Sequence, residues 1–191
     1  MGKGRLEAFS DGVLAIIITI MVLELRVPHG VEPAALRPLI PVFLSYVLSF
    51  VYLGIYWNNH HHMLHVTHRV NGTILWANLH LLFWLSLVPF VTGWMGENHI
   101  AAVPAAAYGA VLLAAALAYH VLYRTIRTAA GPNSLLALAV GGGGKEYISE
   151  LLYAAAIPLA FVSPWISYAL FVAVALLWIV PDRRIEARLA E

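Results

Sequence analysis

The residues with chemistry in them are ionisable groups set against an apolar background. Arg5, Glu7, Ser10 and Asp11 lead directly into Val13 to Leu23, a run of apolar residues broken only by Thr19. That order sets a carboxylate one to two turns inside an apolar helix. A charge within a membrane helix costs about 2.5 to 3.5 kcal/mol on insertion scales, so Asp11 is expected to face protein or water and to have partners. The plainer alternative is that Arg5, Glu7 and Asp11 anchor the helix start at an interface. His60, His61, His62, His65 and His68 form a second cluster. Within it His61, His65 and His68 recur at i, i+4 and i+7 on one helix face, the spacing of a metal site or a proton relay. No cysteine and no nearby carboxylate complete a ligand set, so the run reads as an interfacial segment and no metal site is assigned. His80 and His120 lie inside apolar runs; a lone histidine there more often bonds to a neighbouring helix than to haem. An enzyme would need a nucleophile and a base brought together at depth. Ser10 and Asp11 are adjacent and face apart on a helix, so no catalytic residue and no enzyme activity are expected.

The elements that must position these residues are membrane helices. Of 191 residues 61% are hydrophobic and 11% charged, where a soluble domain carries about 25% charged residues. Mean hydropathy is +0.80. So few charges cannot cover a soluble surface, and a net charge of +1 speaks against a nucleic-acid partner. Asp11 interrupts the first apolar run, so the N-terminus does not read as a cleavable signal. A spanning helix needs about 20 largely apolar residues, and the runs bounded by charge, Gly or Pro predict six, over approximately 6–27, 39–63, 74–95, 102–123, 147–162 and 164–180. They make a single all-α transmembrane domain over 1–191. The last two runs are short and meet at Ser163-Pro164, so they read as a hairpin packed on the others. With six spans, Lys3, Arg5, Arg69, Arg124, Arg127, Lys145, Arg183, Arg184 and Arg188 fall on one side and only Arg26 and Arg37 on the other. The positive-inside rule then predicts a multi-pass protein of the cell membrane with both termini cytoplasmic. Trp57, Trp76, Trp94, Trp165 and Trp178 fall mostly near helix ends, as an aromatic belt does.

On a helical projection at about 100° per residue, Phe9, Gly12, Thr19, Ile20 and Leu23 lie within about 60° of Ile16, whereas Ser10 and Asp11 lie more than about 100° away. One face is small and aliphatic with a single hydroxyl. The other aims polar groups at neighbouring helices.

The string Arg5-x-x-x-Phe9-Ser10-Asp11-Gly12 resembles the signature of the prokaryotic relatives of the endolysosomal transmembrane potassium channel. Tyr56-Trp57-x-x-His60 on the second helix, and Asn78 followed by Pro89-Phe90 on the third, match in order. The resemblance covers the first three helices; the remainder matches by hydropathy. It implies a potassium-selective cation channel, a homotetramer of six-helix subunits in the lipid bilayer with the first helices lining a central pore. It also implies no Thr-Val-Gly-Tyr-Gly filter, a sequence absent from this chain. Carried over by position, the constriction includes Ile16, Thr19 and Leu23, with Gly12 and Ile20 as further pore-facing positions. A ring of Ile16 side chains would close by dewetting, and a ring of Thr19 hydroxyls would replace part of an ion's hydration shell. Without the resemblance, Ile16, Ile20 and Leu23 read as ordinary helix packing and Thr19 as a hydroxyl bonded to the Ala15 carbonyl. Arg5, Phe9, Ser10, Asp11, Trp57, His60 and Asn78 resemble the family's polar cluster at the cytoplasmic ends of the first three helices. There Trp57, His60 and Asn78 supply hydrogen-bond donors to a buried carboxylate, as structural support for the pore helix. No cofactor is implied beyond the permeant potassium ion. The competing readings are a secondary transporter, against which no internal repeat is visible, and a proton- or metal-handling protein built on His60 to His68.

Overall fold

The computed structural model describes residues 2–65, 67, 70–98, 101–130 and 144–179. Among these the chain is all helical: α1 (Lys3–Leu23), a 3-10 segment (Pro33–Leu39), α2 (Ile40–His65), α3 (Gly72–Ser86), α4 (Val88–Glu97), α5 (Ala102–Ala130), α6 (Gly144–Leu159) and α7 (Pro164–Ile179). Four stretches are long and apolar enough to cross a membrane: α1, the 3-10 segment with α2, α3 with α4, and α5. Helix α7 is apolar but shorter. In a bilayer core only helices or closed barrels satisfy every backbone group, so this is a multi-pass membrane protein.

Several ends differ from the expected runs, each for a local reason. Helix α1 stops at Leu23 rather than residue 27; Leu25 N–H turns back to the Val22 carbonyl at 3.1 Å, and Pro28 biases the preceding residue away from helix. The second run opens with Pro33–Leu39 as a 3-10 segment, and the α-helix proper begins at Ile40. The third run is divided. Pro89 has no N–H for the Leu85 carbonyl and its ring crowds that carbonyl, so α3 ends at Ser86 and α4 begins at Val88. The start of α3 is fixed by Asn71, whose side chain accepts from Ile74 N–H at 2.9 Å, an N-cap contribution of about 1 kcal/mol. Helix α5 continues past the expected residue 123 to Ala130, and α6 runs Gly144–Leu159 instead of 147–162. Pro164 sits at the first position of α7, where its missing N–H costs nothing. Residue 180, His68, Arg69, Arg183, Arg184, Arg188 and most of the glycine run 141–144 lie outside the described residues.

The core is one large cluster with a small satellite of Ala105, Ala106 and Ala160. Leu14, Ile17 and Met21 of α1 meet Leu53 of α2 and Leu81 and Leu85 of α3, while Leu112 of α5 and Phe171 of α7 fill the far side. The principal neighbours of α1 are α2, α3 and α4; α5 packs on α3, α4, α6 and α7. Where α4 crosses α2 the backbones nearly touch: a Cβ on Gly96 would stand 2.8 Å from Val42 Cα. Close approach through glycine is how membrane helices gain packing contacts when lipid is as apolar as they are. Buried hydroxyls add a cross-tie. Thr92 donates to the Val88 carbonyl at 2.7 Å, so Ser49 donates to Thr92 at 2.6 Å and Tyr108 donates to Ser49 at 3.0 Å, joining α2, α4 and α5.

Candidate functional site

Helix α1 has two faces of different fate. Leu6, Ser10, Leu14, Ile17 and Met21 recur at helical spacing and are buried. Ile16 is 59% exposed and Leu23 78%; Phe9, Gly12, Thr19 and Ile20 are exposed on the same side. All six positions grouped by the helical projection therefore lie on a face that the rest of the subunit leaves open. Thr19 is bonded to backbone, but to the Ile16 carbonyl at 2.9 Å rather than to Ala15. Its hydrogen is committed inward along the helix, which leaves the oxygen lone pairs as the outward polar feature of that face.

Behind α1, the polar residues assemble in two lines. In the first, all buried, Asn78 Nδ2 donates to Ser10 Oγ at 3.0 Å, and Ser10 Oγ donates to the Leu6 carbonyl at 2.9 Å. His60 Nε2 lies 2.7 Å from Asn78 Oδ1; the amide oxygen can only accept, so Nε2 carries a hydrogen. Three helices are thereby tied through one asparagine. In the second line, Trp57 Nε1 donates to Asp11 Oδ1 at 3.0 Å. Ser10 and Asp11 thus face different neighbours, as adjacent helix positions must. Two residues grouped with this cluster on sequence are not joined to it. The Arg5 side chain is exposed and makes no hydrogen bond or ion pair to the described residues, and Phe9 is 49% exposed.

Other contacts carry no signal in the sequence pattern. Lys3 Nζ donates to the His65 carbonyl at 2.6 Å and stands 3.8 Å from Glu7, fastening the start of α1 to the end of α2. At the other end Arg26 pairs with Glu97 at 2.8 Å, and Glu24 lies against Gly93. Within the histidine run His60 is buried, whereas His61 and His65 are exposed and stack at 6.1 Å, with Trp57 stacked on His61 at 6.2 Å. Their expected companion His68 lies outside the described residues. His80 accepts from Trp84 Nε1 at 3.0 Å. His120 Nδ1 is 3.0 Å from Glu150 Oε1, a partner that could have been found by asking of Glu150 what was asked of Asp11: what pairs with an ionisable group inside an apolar run.

The family described as the endosomal/lysosomal potassium channel TMEM175 matches residues 5–89, the stretch from α1 into α4 that carries both faces of α1, Trp57, His60 and Asn78. A protein named as a potassium channel from a Chryseobacterium species is 55% identical over 191 residues, covering 100% of both chains. One so named from Chamaesiphon minutus is 35% identical over 179 residues, covering 86% of this chain and 87% of that protein. The crystal structure of a lysosomal potassium-selective channel TMEM175 homologue from Chamaesiphon minutus superposes with a TM-score of 0.81 at 32% identity, covering 93% of this chain and 96% of the other.

Proposed function

This chain belongs to the TMEM175 family, and from that membership we propose that it is a potassium-selective cation channel of the cell membrane, formed by four copies around a central axis with α1 of each lining the pore. The observation that carries the reading is the open face of α1. A stripe containing Phe9, Ile16, Ile20 and Leu23 is left uncovered by the subunit, and relatives matching across almost the whole chain are named potassium channels. In the tetramer the stripe faces the axis. Both termini are cytoplasmic, the orientation that puts Lys3, Arg5, Arg124 and Lys145 inside.

Along the axis the residues divide the work. Ile16 forms a hydrophobic ring whose closure expels water and whose side chains must part for an ion to pass. One turn outward, Thr19 presents four oxygens, few and weakly polar. Potassium surrenders its hydration water more readily than sodium, so such a ring admits potassium while sodium stays hydrated outside. Leu23 narrows the outer end. The Ser10-Asn78-His60 and Asp11-Trp57 lines hold α1 in register and take no part in permeation.

Reconstitution in planar bilayers tests the reading directly. Resolvable unitary currents and a native mass of four chains are expected. Thr19→Val keeps the shape and removes the oxygen, so the potassium-to-sodium permeability ratio from bi-ionic reversal potentials should fall while the closed state stays tight. A monomeric or dimeric mass would refute the central pore, and an unchanged ratio would return selection to the aliphatic ring.

A further inference from the structure

Away from α1, between α2, α5, α6 and α7, there is a cavity of about 40 Å³, large enough to hold water. Tyr56, Tyr119, Glu146, Glu150, Tyr153 and Trp178 line it. At its edge His120 Nδ1 meets Glu150 Oε1 at 3.0 Å, with the two side chains only 17% and 16% exposed. Of the three ion pairs among the described residues this one is enclosed by helices, whereas Lys3–Glu7 and Arg26–Glu97 lie at helix ends. Ionisable pairs inside membrane bundles are costly to keep and mark ion or proton sites by default.

We infer that His120 and Glu150 form a proton-binding site inside each subunit, beside this cavity, which Glu150 lines, and separate from the face of α1. A carboxylate oxygen only accepts, so Nδ1 holds a hydrogen toward Glu150 and the lone pair is on Nε2, the atom to which a proton adds. Addition changes the pair from one net negative charge to a neutral imidazolium-carboxylate pair, and no other bond is made or broken. A neutral pair is the form that low-dielectric surroundings tolerate, and it is the form that clasps α6 to α5 most strongly. The other titratable groups around it are known. Helix α5 adds Tyr119 and Arg124, the latter donating to Tyr147 at 3.3 Å. Helix α6 adds Glu146, Tyr147, whose ring meets the His120 ring edge-on at 5.4 Å, and Tyr153; α2 adds Tyr52 and Tyr56. Helix α7 contributes Trp178, with Lys145 of α6 lying 5.9 Å over its ring.

Neither test depends on channel activity, so the site can fail without the pore reading failing, and the reverse. The first follows melting of the purified full-length protein in detergent across about pH 5 to 8, the window in which histidine changes charge. Glu150→Gln and His120→Gln should each change the slope of stability against pH relative to the parent, by up to about one proton, because each removes one half of the site; the other eight histidines cancel in the comparison. A purely structural clasp would lower melting by the same amount at every pH, and parallel curves would overturn the proposal. The second reads the parent protein alone: the nitrogen NMR signals of His120 should pass from a neutral to a doubly protonated ring in that window. A His120 spectrum that stays constant across it would overturn the proposal even where the variants fail to fold.

Discussion

At the scale of single residues, exposure separates the proposed pore face of α1 from the side chains that hold the helix in the bundle. On the pore proposed above, Ile16→Asn places an amide in the apolar ring and should hydrate it, raising resting cation flux into liposomes. Val22→Asn is the control, since Val22 is 45% exposed but about 120° round the helix from Ile16, and its flux should match the parent. Asn78→Ala acts by another route. It strips Ser10 and His60 of their common partner inside the bundle, at a cost of about 1 to 2 kcal/mol, so a lower melting temperature with unchanged selectivity is expected. The Arg5-to-Gly12 string and the helical projection made the two faces of α1 legible before any coordinates. They did not show where Arg5 goes, because a spacing along one helix says nothing of which neighbour lies beyond it. Glu150 was missed for a related reason: its partner is thirty positions away on another helix.

At the scale of elements, packing is set where backbones come closest. Gly96→Ala would push a methyl against Val42 Cα, main chain that cannot rotate aside, and separating α4 from α2 should cost about 1 to 3 kcal/mol. Thermal unfolding in detergent measures it. Gly12→Ala meets nothing within 4 Å, so the single chain should tolerate it or gain up to about 1 kcal/mol from helix propensity, and a loss of flux would point to the proposed assembly. The positions of all six apolar runs were legible from hydropathy alone. Their ends were not, since hydropathy does not report the 3-10 start at Pro33–Leu39 or the turn at Leu25, which depend on backbone hydrogen bonds. The division at Leu87 follows from Pro89, whose missing N–H and ring end α3 at Ser86.

At the scale of the whole molecule, the family match and the superposition speak to architecture, while sidedness is a matter of charge. A protease site appended before Lys3 should be cut only after the cell membrane is permeabilised, and one placed between Val27 and Pro33 should be cut from outside in intact cells; the opposite pattern would invert the orientation. The surface pair Arg26–Glu97, with side chains 81% and 50% exposed, adds less than about 1 kcal/mol to any of this. Its place in the molecule matters more than its energy. Helix α1 is fastened at one end by Lys3 to the His65 carbonyl, by Ser10 to Asn78 and by Asp11 to Trp57, and just past the other end by Arg26 to Glu97. Between Gly12 and Leu23 it makes no polar tie to another helix among the described residues. That stretch, which includes Ile16, is held to the bundle by the apolar packing of Leu14, Ile17 and Met21. On the pore proposed above, α1 can therefore slide along that apolar packing at Ile16 without breaking a hydrogen bond to another helix.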